Sequence, residues 1–268
     1  MILTSVVLKL QSLENAVLPA SHGRLLHAAF LHYVQKNNPQ LSEILHDNQQ
    51  KMFSLGLLQF KNLPQNSNYI ISEGDIAYWR LGGIGQELAD ILSKINKNYI
   101  FRFGKSNFKV LGNSFAGGNS YQWITFSELQ LIGEKMKAAE RITIEFNSAA
   151  TFRYYNNDYP FPKPELVFGS LAEQWNNYSS ETTFDVGHIK NIAASYLIPD
   201  NWQGETKRID FGKGRAVTGF VGKFSYRLNL LPFAYRAVFI TLIQFAYFVG
   251  VGRLNAQGCG QINILMIK

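Results

Sequence analysis

Histidine side chains are the groups in this sequence best suited to moving protons near neutral pH, because an unperturbed imidazole titrates at about 6.5. His27 and His32 lie about 140° apart around a predicted helix, so they do not share a face. The lone cysteine, Cys259, has no zinc-site spacing to any histidine, and no H-E-x-x-H motif occurs. We therefore expect no metal site, and we expect no cofactor. The five candidates are His22, His27, His32, His46 and His188.

His46 differs from the other histidines in its setting. It lies in the run ILHD, after a helix break at Asn38 and Pro39, and Lys51 follows shortly afterwards. Taken alone, it is also explained as a histidine that binds the free carbonyls at a helix C-terminus. His27 and His32 are likewise explained as partly buried or surface imidazoles. The residues alone leave catalysis and structure open.

A glycine-rich loop, GVGRLNAQGCG, occupies residues 250 to 260 between an apolar helical run and a strand-like run. Asn255 stands at the third glycine position of a dinucleotide-binding fingerprint, and the loop leaves a helix instead of opening one, so that fingerprint is excluded. No phosphate-binding loop of the NTPase type is present either. Two alternatives remain. The backbone amides form an anion-binding concavity around Arg253, or the glycines allow the last helix to pack on the last strand. The glycines are Gly250, Gly252, Gly258 and Gly260.

Basic residues cluster just before this loop. In GFVGKFSYRL, alternation places Lys223 and Arg227 on one face of a strand, opposite Phe220, Phe224 and Tyr226. Such a basic face can follow the phosphates of a nucleic acid. A solvated hairpin is the structural alternative. The preceding run KRIDFGKGR adds four cations: Lys207, Arg208, Lys213 and Arg215.

Composition describes a folded, basic protein. Hydrophobic residues make up 46% of its 268 residues and charged residues 17%, and the formal net charge is +7. The charge favours a polyanionic partner. A single cysteine excludes a disulfide framework and favours a reducing compartment, so we expect a cytoplasmic protein. The apolar stretch 233–249 is too short and too polar to span a bilayer, so we expect no membrane association.

The elements that position these residues follow one order twice: strand, helix, strand pair, helix, strand. Alternation marks strands at the amino terminus, at YIFRF and at RITIEF, and helices are predicted from Gly23, Ile84, Pro164 and Pro232. The predicted fold class is α+β, with two tandem ferredoxin-like (RRM-like, βαββαβ) domains over residues 1–116 and 117–268. Residues 179–201, which include His188, have weak periodicity and are expected to form an irregular insertion.

The glycine loop resembles the carboxy-terminal motif of the RAMP superfamily, and more narrowly that of the CRISPR-associated endoribonucleases that process precursor CRISPR RNA. The stretch GFVGKFSYRLNLLPFAYRAVFITLIQFAYFVGVG and the amino-terminal LPASHGRLLHAAFLHYVQKNNPQLSEILHDNQQKMFSLGLL carry the same resemblance. The resemblance implies a metal-independent endoribonuclease that cleaves within the CRISPR repeat. The implied products carry 2′,3′-cyclic phosphate and 5′-hydroxyl ends, and the RNA binds at the glycine loop and the basic hairpin.

By the same resemblance, His46 acts as general acid or base and Lys51 stabilises the transition state. The chain departs from the family at Leu31, where some members carry a tyrosine, and His32 or His27 is expected to supply that polar group. The implied partners are repeat RNA and precursor CRISPR RNA, together with a CRISPR effector complex, and a homodimer is left open. The alternative function is a non-catalytic RNA-binding RAMP subunit of such a complex.

Overall fold

A computed structural model of the chain describes residues 1–47, 52–115, 123–179, 182–212 and 214–268. It divides into two compact units. The N-terminal unit contains Ile2–Trp123 together with Ala256–Gly258. The C-terminal unit contains Met1, Ile124–Asn255 and Cys259–Lys268. The predicted boundary at residues 116 and 117 falls outside the described residues.

The N-terminal unit is built around an antiparallel sheet. Its elements are β1 (Ile2–Ser12), β2 (Ala16–Pro19), α1 (Gly23–Asn37), α2 (Pro39–Asp47), β3 (Phe53–Leu55), β4 (Gln59–Phe60), β5 (Asn68–Ile71), β6 (Ile76–Ile84), α3 (Gln86–Ser93), β7 (Ile100–Phe103) and β8 (Ser106–Phe115). The strands follow the order β3-β6-β1-β8-β7, and β4 also pairs with β6. The first and third strands of the motif are therefore neighbours, as βαββαβ connectivity requires.

The C-terminal unit repeats this plan. Its elements are β9 (Ile124–Thr125), α4 (Phe126–Lys135), β10 (Arg141–Ala150), β11 (Phe152–Tyr154), β12 (Asn157–Tyr159), α5 (Pro164–Tyr178), α6 (Val186–Tyr196), β13 (Ile198–Asp210), β14 (Ala216–Arg227), α7 (Phe233–Val249) and β15 (Ile262–Ile267). The main sheet has the order β13-β14-β10-β15, and β11 pairs with β12 in a separate hairpin. The predicted α+β class with two tandem ferredoxin-like domains is confirmed.

Each sheet buries one face against its helices. In the N-terminal unit, the fully buried Trp79 ring meets Phe101 and Phe103 edge-on, at centroid distances of 5.2 Å. In the C-terminal unit, Trp175 packs against Phe126 and Phe245 in the same way, at 4.6 and 5.3 Å. Helix and sheet are joined by other rings: Tyr33 of α1 lies 5.5 Å from Phe101, and Phe168 of α5 lies 5.7 Å from Tyr226 of β14.

The predicted irregular insertion at residues 179–201 is wrong. That stretch contains α6 and the start of β13. Asp185 caps the helix by accepting a hydrogen bond from the His188 amide at 3.0 Å. Only Ile189 and Ala193 of α6 are buried, which explains why the helical period is faint in the sequence. Among the described residues, no helix combines the length and apolar composition that a bilayer crossing requires.

Candidate functional site

His46 lies in the last turn of α2 and its side chain is exposed. The Asn38 side chain organises the start of this helix, because its Oδ1 accepts a hydrogen bond from the Leu41 amide at 3.0 Å. The helix therefore starts at the predicted break and presents His46 at its other end. Lys51 lies outside the described residues.

His27 is held in a defined orientation on α1. Its Nδ1 lies 2.9 Å from the carbonyl oxygen of Ala256, and its ring stacks on Phe53 with an interplanar angle of 28°. A carbonyl only accepts hydrogen bonds, so Nδ1 carries the proton. The neutral imidazole then has its lone pair on Nε2.

His32 has a different environment. It is exposed on α1, whereas Leu31 packs against the N-terminal core. His27 is one turn before Leu31, so the two share a helix face. Of the two predicted substitutes for the family tyrosine, the structure places His27 on the face of Leu31 and His32 off it.

The remaining histidines have structural partners. His22 is buried, its Nδ1 donates to the Pro19 carbonyl at 2.8 Å, and its Nε2 accepts from the Leu58 amide at 2.9 Å. Burial lowers the pKa of His22 to about 4. The Nε2 of His188 lies 2.9 Å from the hydroxyl of Tyr235.

Part of the glycine loop belongs to the same unit as His27. A side chain on Gly23, the first residue of α1, would collide with the carbonyl oxygen of Gln257. A side chain on Gly258 would lie 2.6 Å from the Leu57 side chain and 3.2 Å from the Gly23 Cα. The close approach of these backbones places the Ala256 carbonyl where His27 can donate to it.

All four loop glycines, Gly250, Gly252, Gly258 and Gly260, have positive φ, between 66° and 87°. Side chains are strongly disfavoured there. A side chain on Gly260 would also strike the Val251 carbonyl, and one on Gly252 would strike the Thr151 carbonyl. The glycine-eased turn, one of the two alternatives for this loop, accounts for these positions.

Several loop amides are already used within the protein. Gly250 donates to Ala246 at 2.8 Å, closing α7, and Gly260 donates to Ala149 at 3.0 Å. The Val251 amide donates to the Gly260 carbonyl at 2.8 Å. A concavity of open amides is therefore wrong for Gly250 and Gly260, because their N–H groups are satisfied by carbonyls.

Arg253 is tied to a neighbouring hairpin of the C-terminal unit. Its amide donates to Thr151 at 3.0 Å and its guanidinium donates to Asp158 on β12. Asp158 also lies 3.8 Å from Arg153 on β11. One carboxylate thus serves two arginines, and the local charge is still positive.

The basic hairpin formed by β13 and β14 is present. Arg227 pairs with Ile198, and the ladder runs to the pair of Asp210 and Ala216. Because side chains alternate along a strand, Lys207 and Arg208 lie on opposite faces of β13. Phe224 and Tyr226 are buried while Lys223 and Arg227 are exposed, as the alternation predicted.

The exposed cations of this hairpin are not equivalent. Arg227 Nε lies 3.3 Å from Asp200, whose other oxygen lies 2.5 Å from Arg141. Lys207 Nζ lies 3.3 Å from Glu205. Lys223, Arg208 and Arg215 have no ion-pair partner within the described ranges, and Lys213 lies outside those ranges.

No group of three or more histidine, cysteine or carboxylate side chains in the described part of the chain is arranged to hold a metal ion.

Two family models match the chain in succession. The Cas6 N-terminal domain covers residues 2–132, and the CRISPR-associated endoribonuclease Cas6 covers residues 144–262. The chain belongs to the Cas6 family of CRISPR-associated endoribonucleases. The family predicted from the glycine loop and the first helix is confirmed.

Solved Cas6 structures share the fold along their whole length. The product complex of Cas6 TTHA0078 is 22% identical, with a TM-score of 0.74 over 99% of this chain and 100% of that one. The product complex of the Thermus thermophilus Cas6 TTHB231 is 21% identical, with a TM-score of 0.75 over 98% and 99%. A RAMP protein binding different RNA substrates is 14% identical, with a TM-score of 0.65 over 98% and 100%. Comparison with curated proteins gave no match.

Sequence reasoning missed several residues of this Cas6 chain that shape the candidate site. The Ala256 carbonyl carries no side-chain signal, and it is 229 residues from His27. Asp158 and Asp200 gave no signal either, because their arginine partners come from distant or register-dependent positions. The dipeptide Asn156-Asn157 could have indicated the turn between β11 and β12, since asparagine favours turns and positive φ.

Proposed function

We propose that this chain cleaves precursor CRISPR RNA within the repeat and yields mature guide RNA. The observation that carries the proposal is the match of both Cas6 family models, one after the other, along residues 2–132 and 144–262. The orientation of His27 by the Ala256 carbonyl supports it, because a fixed tautomer suits a group that transfers a proton.

The reaction uses the RNA's own nucleophile. The 2′-hydroxyl next to the scissile phosphate loses its proton to a base, and the 2′-oxygen attacks phosphorus. The bond from phosphorus to the 5′-oxygen breaks, and that oxygen receives a proton from an acid. The products carry a 2′,3′-cyclic phosphate and a 5′-hydroxyl, and the scheme needs neither a metal nor a cofactor.

We assign the proton transfers to His46 and His27. His46 acts as acid or base from the end of α2, and His27 supplies its Nε2 from α1, in place of the family tyrosine. Lys51 stabilises the negative charge on the phosphorane oxygens. Each positioned proton-transfer group typically contributes about 10²–10⁴-fold to the rate.

RNA binding is assigned to the basic hairpin and the glycine loop. Lys223, Arg208 and Arg215 are the strongest candidates for phosphate contacts, since no carboxylate in the described ranges neutralises them. Arg227, Lys207 and Arg253 also reach phosphates, at the expense of their ion pairs. Each phosphate contact that is lost should reduce the salt slope of binding by about 1.

The mechanism is tested with a cognate repeat RNA and its 2′-deoxy analogue at the cut site, each in EDTA. We expect cleavage of the all-ribose RNA, none of the deoxy analogue, and a cyclic phosphate on the 5′ fragment. Loss of cleavage in EDTA, or cleavage of the deoxy analogue, would exclude the proposed chemistry.

The residue assignment is tested by single-turnover rates of alanine variants. His46→Ala and His27→Ala should each slow cleavage by at least about 10²-fold, whereas His188→Ala, which removes an exposed histidine of the C-terminal unit, should not. If His32→Ala cleaves slowly and His27→Ala cleaves at the wild-type rate, His32 and not His27 is the proton-transfer group that acts with His46. Tight RNA binding without cleavage by the wild-type chain would favour the alternative, a non-catalytic RAMP subunit.

The other partner assignments remain predictions. These are association with a CRISPR effector complex, homodimer formation and a cytoplasmic location. Co-purification with effector subunits and light scattering of the isolated protein test the first two.

A further inference from the structure

The hairpin of β11 and β12 presents one aromatic ring in an unusual way. Tyr155 is the first of the two turn residues at the tip of this hairpin, and its side chain is 82% exposed. Tyr155 and Asn156 have φ values of 45° and 64°, which is the geometry of a type I′ turn. Asparagine and glycine suit such positions, and a bulky side chain there is an outlier.

The fold gains little from burial of a tyrosine at this position. Exposure of the ring forgoes the burial that makes aromatic residues stabilising. The positive φ adds backbone strain on top of that loss. An exposed, strained side chain on an ordered turn is typical of a residue retained for binding.

Contacts within the hairpin support the Tyr155 ring. Arg153 Nη1 donates to the Asn156 carbonyl at 2.7 Å and closes the turn. The Tyr154 ring meets the Tyr155 ring edge-on, with centroids 4.6 Å apart. Tyr155 is therefore supported from the side while its outer face stays open to solvent.

Positive charge surrounds this support. The Lys163 ammonium lies over the Tyr154 ring at 4.7 Å and over the Tyr159 ring at 5.3 Å. Arg153 shares Asp158 with Arg253 of the glycine loop, so the hairpin is anchored to that loop. An open aromatic face beside cations is the combination by which proteins bind unpaired nucleotides, with stacking on the base and charge on the phosphate.

We propose that Tyr155 stacks on an unpaired base of the repeat RNA, while Arg153 and Lys163 contact the adjoining phosphates. The proposal rests on the proposed function for the identity of the RNA. It adds a base-stacking site at the tip of the β11–β12 hairpin. Stacking on an aromatic ring tolerates any base, so this site favours a single-stranded position over a particular sequence.

The test is the affinity of repeat RNA for Tyr155 variants, measured by fluorescence anisotropy at several salt concentrations. Tyr155→Ala should weaken binding by roughly 5- to 150-fold, the range that alanine substitution of a stacking ring gives. The salt slope should not change, because tyrosine carries no charge. Tyr155→Phe and Tyr155→Trp should bind like wild type. Tyr196→Ala, which removes an exposed tyrosine at the end of α6, is the matched control.

A second variant separates stacking from folding. Tyr155→Asn relieves the strain at positive φ, so its melting temperature should equal or exceed that of wild type. Its RNA affinity should nevertheless fall as far as that of Tyr155→Ala. Wild-type affinity in Tyr155→Asn or Tyr155→Ala would overturn the stacking site.

The stacked position is found by scanning the repeat with single abasic nucleotides. Wild type should bind the repeat more weakly when one particular unpaired position is abasic. Tyr155→Ala should bind that abasic repeat as well as it binds the intact repeat. Equal abasic losses in both proteins at every position would reject the proposal. Failure of the wild-type chain to prefer repeat RNA over an unrelated RNA would instead refute the proposed function.

Discussion

Acidification should destabilise the N-terminal unit through His22. This imidazole is 1% exposed, and burial is the main reason why its pKa is lowered from 6.5 to about 4. Its Nε2 accepts a hydrogen bond from the Leu58 amide at 2.9 Å, so a proton on that nitrogen would replace an attraction by a repulsion. The folded state therefore excludes the proton that the unfolded chain binds.

The sign and size follow from the two pKa values. Above pH 6.5 the imidazole is neutral in both states and its contribution to stability is complete. As the pH falls from 6.5 to 4, the unfolded chain binds the proton first, so the free energy of unfolding decreases. At pH 5 the loss should be about 2 kcal/mol, and below pH 4 it should level off near 3 kcal/mol, at 1.36 kcal/mol for each pKa unit.

The assay compares wild type with His22→Gln by urea unfolding between pH 7.5 and pH 5, with hydrogen exchange of α1 peptides to report on the N-terminal unit. At neutral pH the free energy of unfolding of the variant should be lower by about 1 kcal/mol per missing hydrogen bond. Between pH 7.5 and pH 5, however, it should fall by about 2 kcal/mol less than that of wild type. The control, His188→Gln, replaces an exposed histidine and should leave the pH dependence of the free energy of unfolding as in wild type. Equal slopes in wild type and His22→Gln would refute the reasoning.

Four further substitutions have directional outcomes. Gly260→Ala combines strain at positive φ with a backbone collision, so it should lower the free energy of unfolding by about 3 kcal/mol. Its control, Gly212→Ala, has positive φ but open space, and should lower it by only about 1 kcal/mol. Chemical denaturation measures both. Asp200→Asn should cost under about 1 kcal/mol and should tighten RNA binding with a steeper salt slope, because two arginines lose their shared carboxylate. Gly23→Ala should slow single-turnover cleavage, because the collision displaces the loop that orients His27, while a normal rate would show that this contact is dispensable.

Periodic features of the sequence were predictable because burial repeats with the backbone. On β14, Phe224 and Tyr226 are buried and Lys223 and Arg227 are exposed, as the alternation of side chains along a strand predicts. The start of α1 at Gly23 and the start of α5 at Pro164 were equally predictable. Such features are fixed by neighbours a few residues away.

Features that depend on register or on distant neighbours were not predictable. Asp200 lies where β13 changes register, between Pro199 and Asn201, and its carboxylate pairs with Arg227 on the neighbouring strand. Asp158 and Arg253 are 95 residues apart. The α6 helix escaped prediction because few of its residues are buried. In each case the deciding contact is tertiary and leaves no local period.

The glycine-rich loop shows why a motif can be identified before its physical role is known. Its pattern led to the Cas6 family, yet the amides of Gly250 and Gly260 are already bonded to carbonyls and are not open donors. The positive φ values and the close backbone contacts instead explain why side chains are excluded. A loop fixed in this way can orient His27 through the Ala256 carbonyl and can anchor the β11–β12 hairpin through Arg253. Under the proposed function, the loop would therefore contribute to RNA cleavage chiefly through what it holds in place, and substitutions at its glycines should affect stability as well as RNA binding.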